Sequence, residues 1–168
     1  STIRHPDGAF RSEYSRFAFY FQVQDESSMM VAYAANVKKK DFVVDVCAAP
    51  GGKSLHVAQL LEGTGHVISC DLTDYKVDLI QQNVERLGYT NVTPTVHDAL
   101  ILQEELVEKA DVVIADLPCS GLGVIGKKND IKYNVTKDKM GDLAKLQRQI
   151  LDIVKKYVKK GGVLIYST

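Results

Sequence analysis

The residues of this chain best suited to chemistry are a glycine turn, three strand-end acids and a lone cysteine. The turn lies within residues 42–54, F-V-V-D-V-C-A-A-P-G-G-K-S, where a run of β-formers gives way to small residues and then to Pro50-Gly51-Gly52. Without a Cβ, Gly51 and Gly52 can take positive φ and admit a ligand close to the backbone, while the first amides of the helix that follows point outward unpaired. A strand, tight turn and helix of this kind suit a nucleotide-like ligand. Taken alone, Pro-Gly-Gly is also a common connector, and Gly52-Lys53-Ser54 is not a P-loop, because Cys47 stands where that pattern needs its first glycine. An acid weighs against the plain connector: Asp71 closes the next apolar run, H-V-I-S-C-D, about twenty residues beyond the turn, where a carboxylate can accept both hydroxyls of a ribose.

Asp98 and Asp116 close two further apolar runs. Each alone could be a cap or a turn former. At the carboxyl ends of parallel strands, however, Asp71, Asp98 and Asp116 would border one crevice together with the glycine turn. Asp116 is followed by Leu117-Pro118-Cys119-Ser120. A lone cysteine is more often a small buried hydrophobe, but at a crevice edge, after an acid and a proline, Cys119 reads as a reactive thiol.

The elements that must position these residues alternate. A strand is expected to open residues 42–54, with further strands over 66–71, 92–97 and 111–116, and with helices at 53–61, between Thr73 and Gly88 and, briefly, around 103–109. Val77, Ile80, Val84 and Leu87 recur at helical steps between Thr73 and Gly88, which serve as start and stop signals. A long amphipathic helix is expected over 137–160, with Leu143, Leu146, Ile150, Val154 and Tyr157 on one face, ended by Gly161-Gly162 before a fifth strand. Further upstream, Asp25 suits the cap of a helix over 26–35, His5 to Gly8 marks a turn, and Phe17 to Val23 reads as a strand. Strands and helices of these lengths in alternation imply an α/β fold with a doubly wound, mostly parallel sheet.

Composition narrows the classes. Lys and Arg number 21, as do Asp and Glu, so the formal net charge is zero and no global field draws the chain to nucleic acid. Basic clusters stand at Lys38–Lys40, Lys127–Lys128, Lys155–Lys156 and Lys159–Lys160, each read singly as a solvated surface. Cys47, Cys70 and Cys119 are far apart and odd in number, which speaks against a disulfide framework and a metal site. No apolar run is long enough for a membrane span, and the N-terminus lacks signal-peptide character, so a cytoplasmic protein is expected. The chain opens on Ser1 and closes on V-L-I-Y-S-T within an expected strand, so both ends read as cut.

The string Asp45-x-Cys47-Ala48-Ala49-Pro50-Gly51-Gly52-Lys53 resembles the cofactor motif of the RNA 5-methylcytosine methyltransferases of the Sun/Nop type, where it is close to diagnostic. The likeness is nearest to the bacterial branch that methylates a cytosine of small-subunit (16S) ribosomal RNA. The resemblance implies a Rossmann-like class I S-adenosylmethionine-dependent methyltransferase domain over residues 25–168, its sheet truncated within or after the fifth strand. Residues 1–24 would be a lead-in, the remnant of an N-terminal RNA-binding subdomain. It implies S-adenosylmethionine as cofactor, leaving as S-adenosylhomocysteine and held by Cys47, Ala48, Ala49, Pro50, Gly51, Gly52 and Lys53. Asp71 would meet the ribose, Asp98 the adenine amino group, and Asp116 the neighbourhood of the methionine part and the target base. The implied partner is RNA, with no membrane; the sequence leaves the oligomeric state open, with a monomer favoured for the full-length protein.

Carbon 5 of cytosine is a poor nucleophile, and thiolate attack on carbon 6 turns the ring into an enamine that accepts a methyl group. In the family that thiolate directly follows the fifth-strand Ser-Thr, and the Pro-Cys residue assists release, so Cys119 with Asp116 would be the catalytic pair of this chain. The attacking cysteine would follow Thr168, so the chain as given is expected to be inactive. Lys127, Lys128 and Lys132 could meet RNA phosphates and Tyr133 could stack on a base, although the family usually carries arginines, a proline and a tryptophan in this run. Two other readings remain open: a module that binds S-adenosylmethionine or RNA without chemistry, and a methyltransferase with another acceptor, such as a tRNA cytosine. An amino-group methylase would want Pro-Pro-aromatic where this chain has Pro118-Cys119-Ser120.

Overall fold

A computed structural model describes residues 2–4, 10–12, 26–119 and 137–168. The expected turn at His5 to Gly8, the strand at Phe17 to Val23, the cap at Asp25 and the RNA-contact candidates Lys127, Lys128, Lys132 and Tyr133 lie outside the described residues. In chain order the elements are β1 (Thr2–Arg4), β2 (Phe10–Ser12), α1 (Glu26–Ala34), β3 (Phe42–Asp45), α2 (Gly52–Leu60), β4 (His66–Asp71), α3 (Asp74–Leu87), β5 (Val92–Val96), β6 (Ala110–Asp116), α4 (Lys137–Val154) and β7 (Val158–Ser167). β1 and β2 pair antiparallel, Thr2 opposite Ser12, a small sheet for which the sequence reading had no expectation. The other five strands form one sheet in the order β5-β4-β3-β6-β7, with every pairing parallel.

This order carries the site. From β3 the chain winds outward through β4 to β5, then returns to the other side of β3 and winds through β6 to β7. The direction reverses between β3 and β6, and the loops leaving their carboxyl ends part there to open a crevice. Successive residues of β3 feed opposite faces of the sheet. Val43 packs with Val31 of α1, Leu55 of α2 and Ile80 of α3, whereas Val44 packs with Ile150 and Val154 of α4 and with Tyr157. Burying each such large aliphatic side chain contributes about 1.5–3 kcal/mol. Helices therefore cover both faces, which is why β3 and β6 read as near-continuous apolar runs. β5 is an edge strand and tolerates Pro94, which has no N–H to donate.

α3 matches its signals. Thr73 is extended and its hydroxyl accepts from the Lys76 N–H, while Gly88 closes the helix at φ 71°.

Two expectations are corrected. The long helix stops at Val154, not Lys160, because Tyr157 is fully buried and its hydroxyl accepts from Gln103 N at 3.1 Å. To seat that ring, residues 155–157 tighten into a 3-10 turn and the chain enters β7 at once. Gly161-Gly162 accordingly lies inside β7, where the register against β6 jumps between the Ala110–Val158 and Val112–Val163 pairs. A Cβ on Gly162 would sit 2.8 Å from Asp111 O, so the close strand approach requires glycine there. The expected helix at 103–109 is only a 3-10 turn, Glu104–Leu106, because Lys109 N donates to Tyr157 O and draws the chain into β6.

Candidate active site

The turn after β3 is pinned from three sides. Ala48 N donates to Cys70 O of β4, Gly51 N donates back to Ala48 O at 2.7 Å, and Asn83 of α3 donates its amide to Pro50 O at 3.0 Å. Gly51 caps α2 at φ 101°, a conformation that favours glycine, and a Cβ there would approach Ile80 Cγ2 to 3.2 Å. The first turn of α2 is thereby held against the strand ends, with Lys53 and Ser54 facing inward.

Beneath the turn lies a polar chain that the sequence reading did not foresee. Ser54 Oγ donates to Asp45 Oδ2 at 2.7 Å and lies 2.7 Å from Ser69 Oγ, joining α2, β3 and β4. Asp45 is fully buried and its Oδ1 makes no hydrogen bond among the described residues. Burial pushes its carboxyl up to about 7, against the opposing pull of the Ser54 hydrogen bond and the Lys53 charge.

At the carboxyl ends of the strands a cavity of about 400 Å³ opens, lined by Cys47, Ala49, Asp71, Asp98, Asp116 and Cys119 among others. Six of the residues singled out in the sequence thus meet around one space. Ala48 is buried in the core, Gly51 shapes the turn, and Pro50, Gly52 and Lys53 stand back from the lining. Asp71 is 4% exposed. Its Oδ2 accepts from Ala49 N at 3.0 Å, while its Oδ1 accepts from Leu72 N at 2.8 Å and pairs with Lys76 Nζ at 3.0 Å. A carboxylate oxygen has about two acceptor positions, so Oδ2 keeps one for a ligand and Oδ1 is filled unless the half-exposed Lys76 moves. Asp98 combines both roles weighed for it: its Oδ1 accepts from Leu100 N at 2.9 Å as a turn former, and it faces the cavity between Ala99, Leu100 and Leu72.

Asp116 is gripped at both oxygens. Lys53 Nζ lies 2.6 Å from Oδ2, and Ser167 Oγ donates to Oδ1 at 2.6 Å from the end of β7. Cys119 stands exposed at the rim three residues on. The other thiols are poor nucleophiles: burial, reinforced by the neighbouring carboxylates, pushes Cys47 and Cys70 up to about 12.

The sequence profile described as 16S rRNA methyltransferase RsmB/F matches residues 32–168. This chain belongs to the RsmB/F methyltransferase family. It is 46% identical over 147 residues to the probable ribosomal RNA small subunit methyltransferase B of Bacillus subtilis, which covers 87% of this chain and 33% of that protein. It is 38% identical over 152 residues to the tRNA (cytosine(72)-C(5))-methyltransferase of Pyrococcus horikoshii, covering 89% of this chain and 37% of that one. The crystal structure of NSun6 from Pyrococcus horikoshii with SFG superimposes with a TM-score of 0.77 at 34% identity, over 88% of this chain and 37% of that chain. The chain therefore spans about a third of the length of these relatives.

Among the described residues of this RsmB/F domain the basic clusters do not border the crevice. Lys38–Lys40 precede β3, and Lys155, Lys156, Lys159 and Lys160 flank the start of β7, at the amino ends of the strands. Several are paired locally, Lys39 with Glu62, Lys155 with Asp152 and Lys159 with Asp111. Sequence reasoning missed Lys76, Ser167 and the apolar lining from Leu72, Leu146 and Ile150. Lys76 had a signal, since the first turn of a helix that starts just past a strand end faces back toward that end. Ser167 had none, because its partner Asp116 lies far away in sequence.

Proposed function

We propose that this chain is the catalytic domain of a methyltransferase that moves a methyl group from S-adenosylmethionine to carbon 5 of a cytosine in RNA. The observation that carries the reading is the junction of Asp116, held by Lys53 and Ser167, with Cys119 on the same cavity as Asp71 and Asp98. The donor set fits the cofactor. Asp71 Oδ2 keeps an acceptor position for a ribose hydroxyl, Asp98 offers an acceptor for an exocyclic amine, and Leu72, Ala99 and Leu100 form an apolar slot for a purine. The glycine turn, with Cys47, Ala49 and Gly51, lets the backbone approach the rest of the molecule. SFG, an analogue of S-adenosylmethionine, bound to a relative supports the same assignment.

When bound, S-adenosylmethionine supplies an electrophilic methyl group; the rest of the work falls to side chains. A carboxylate at Asp116, oriented by Lys53 and Ser167, can accept a hydrogen bond from the amino group of the cytosine, and from ring nitrogen 3 once that atom carries a proton, and so hold the protonated ring to which a thiolate adds at carbon 6. Lys53 offsets the negative charge of Asp116 at the moment of attack. After methyl transfer the carbon 5 proton passes to a base at the rim, a role open to Cys119, and the electron pair it leaves expels the attacking thiolate from carbon 6. On this division of labour Cys119 is not the attacking thiol.

We assign small-subunit ribosomal RNA as substrate on the strength of the Bacillus subtilis relative, with the cytoplasm as the compartment that suits such a substrate; the Pyrococcus horikoshii relative makes tRNA the second reading. Among the described residues no helix is long and apolar enough to cross a membrane. The test is to offer the full-length protein 16S ribosomal RNA and tRNA separately with radiolabelled cofactor and to map 5-methylcytosine by bisulfite sequencing. Label in 16S RNA alone supports the reading, label in tRNA alone moves the substrate, and label on neither overturns it. In the same assay Cys119→Ala should accumulate a covalent protein–RNA adduct on a denaturing gel.

A further inference from the structure

We infer that Gln147 of α4 is a positioning residue that fixes the Pro118-Cys119 turn. The turn after β6 leaves the sheet at Leu117, whose N–H donates to Ser167 O at 2.9 Å. Pro118 and Cys119 are exposed, and Pro118 has no N–H with which to hold itself. What holds the next carbonyl is Gln147, whose Nε2 donates to Pro118 O at 2.7 Å. The same side chain accepts from the Tyr166 hydroxyl at Oε1, 3.1 Å away, at the end of β7. The amide orientation follows from chemistry: a carbonyl oxygen can only accept, so the NH2 must face Pro118 and the oxygen must face Tyr166. Glutamine is thus suited to the position because it bridges an acceptor on one side and a hydroxyl donor on the other.

The bridge has a consequence for the site. Asp116 is set from β7 by Ser167 and the Cys119 turn is set from β7 by Tyr166 through Gln147, so consecutive residues of one strand place both groups on the cavity rim. None of these contacts touches Asp71 or Asp98 on the far side of the cavity. Loss of Gln147 should therefore loosen Cys119 while leaving cofactor binding in place.

The inference rests on the methyltransferase reading for its catalytic consequence but not for its structural one, so two arms are needed. In the first, the protein without RNA is alkylated with iodoacetamide, and Cys119 modification is followed by peptide mass spectrometry; Cys47 and Cys70, held up near 12, react little and serve as internal controls. Gln147→Leu, which keeps the approximate shape and loses both bonds, should change the Cys119 rate by a factor of about 2–10, the equivalent of one hydrogen bond. Tyr166→Phe, which removes only the outer bond, should fall between wild type and Gln147→Leu. In the second arm, steady-state methylation by the full-length protein should show kcat lowered by a similar factor with the cofactor KM unchanged. Gln147→Asn, too short to span the gap, should not rescue. Wild-type alkylation and kcat in Gln147→Leu would overturn the inference, as would a loss of cofactor affinity equal to the loss of kcat, which marks general destabilisation. If the wild type methylates no RNA while alkylation responds as described, the substrate reading fails and the tether stands.

Discussion

Asp45→Asn is the substitution that most directly probes how the glycine turn is supported. Asp45 is fully buried with one oxygen on Ser54 and the other making no hydrogen bond among the described residues, and its carboxyl is pushed from 3.8 up to about 7, chiefly by burial. The groups whose charges act on it are Lys53 of α2, which pulls the value down, and Asp116 of β6, which pushes it up. A carboxyl whose folded-state value is raised binds its proton more tightly in the native state than in the unfolded chain. Stability contributed by Asp45 is therefore fully present below about pH 4 and is lost as the pH rises toward about 7, after which the loss levels off. At 1.36 kcal/mol per unit, the window from 3.8 to about 7 amounts to about 4 kcal/mol.

Asparagine does not titrate. Its amide oxygen can still accept from Ser54, but its NH2 would occupy the place where Oδ1 makes no such bond, at a cost of about 1–3 kcal/mol. The variant should be less stable than wild type by that amount near pH 4 and as stable or more stable near pH 8, because only the wild type then carries a buried charge. Urea unfolding of both proteins, followed by far-ultraviolet circular dichroism across this range, gives the difference directly, and the subtraction cancels the titrating groups whose charges do not act on Asp45. A wild-type-minus-variant difference that stays constant with pH refutes the reasoning.

Two further outcomes follow from the same geometry. Gly51→Ala places a side chain at φ 101° and 3.2 Å from Ile80 Cγ2, so the urea midpoint should fall by the equivalent of about 1–3 kcal/mol; an unchanged midpoint would mean that the turn is not held in the left-handed region. Asp71→Ala removes the acceptor for Ala49 N and for a ribose hydroxyl, and titration calorimetry with S-adenosylhomocysteine should show affinity weakened by on the order of 2 kcal/mol, whereas equal binding would take Asp71 out of the site.

Much of the architecture was legible because local signals and burial agree along β3, α2, β4 and α3. A strand covered on both faces must be apolar throughout, a helix packed on one face must repeat its apolar residues every three or four positions, and Thr73 and Gly88 cap what lies between them. Once strands and helices alternate, a parallel sheet follows, and with it the convergence of Asp71, Asp98 and Asp116 on one crevice, since Asp71 and Asp116 end parallel strands and Asp98 lies two residues past the end of β5. The pairing partners of those acids were not legible. Lys53 of α2 reaches Asp116 of β6, and Ser167 reaches Asp116 from β7, contacts that depend on the order of strands in the sheet and leave no trace in sequence spacing. The end of α4 escaped for the same reason: Lys155 to Lys160 has the composition of a helix terminus, and only the pocket that seats Tyr157 makes the chain turn early. Asp45 is the sharpest case, since the sequence marks it as part of a motif but gives no measure of its environment. Burial beneath the turn is a property of the packed layers on both sides, and it alone makes an ordinary aspartate a group that titrates near neutrality.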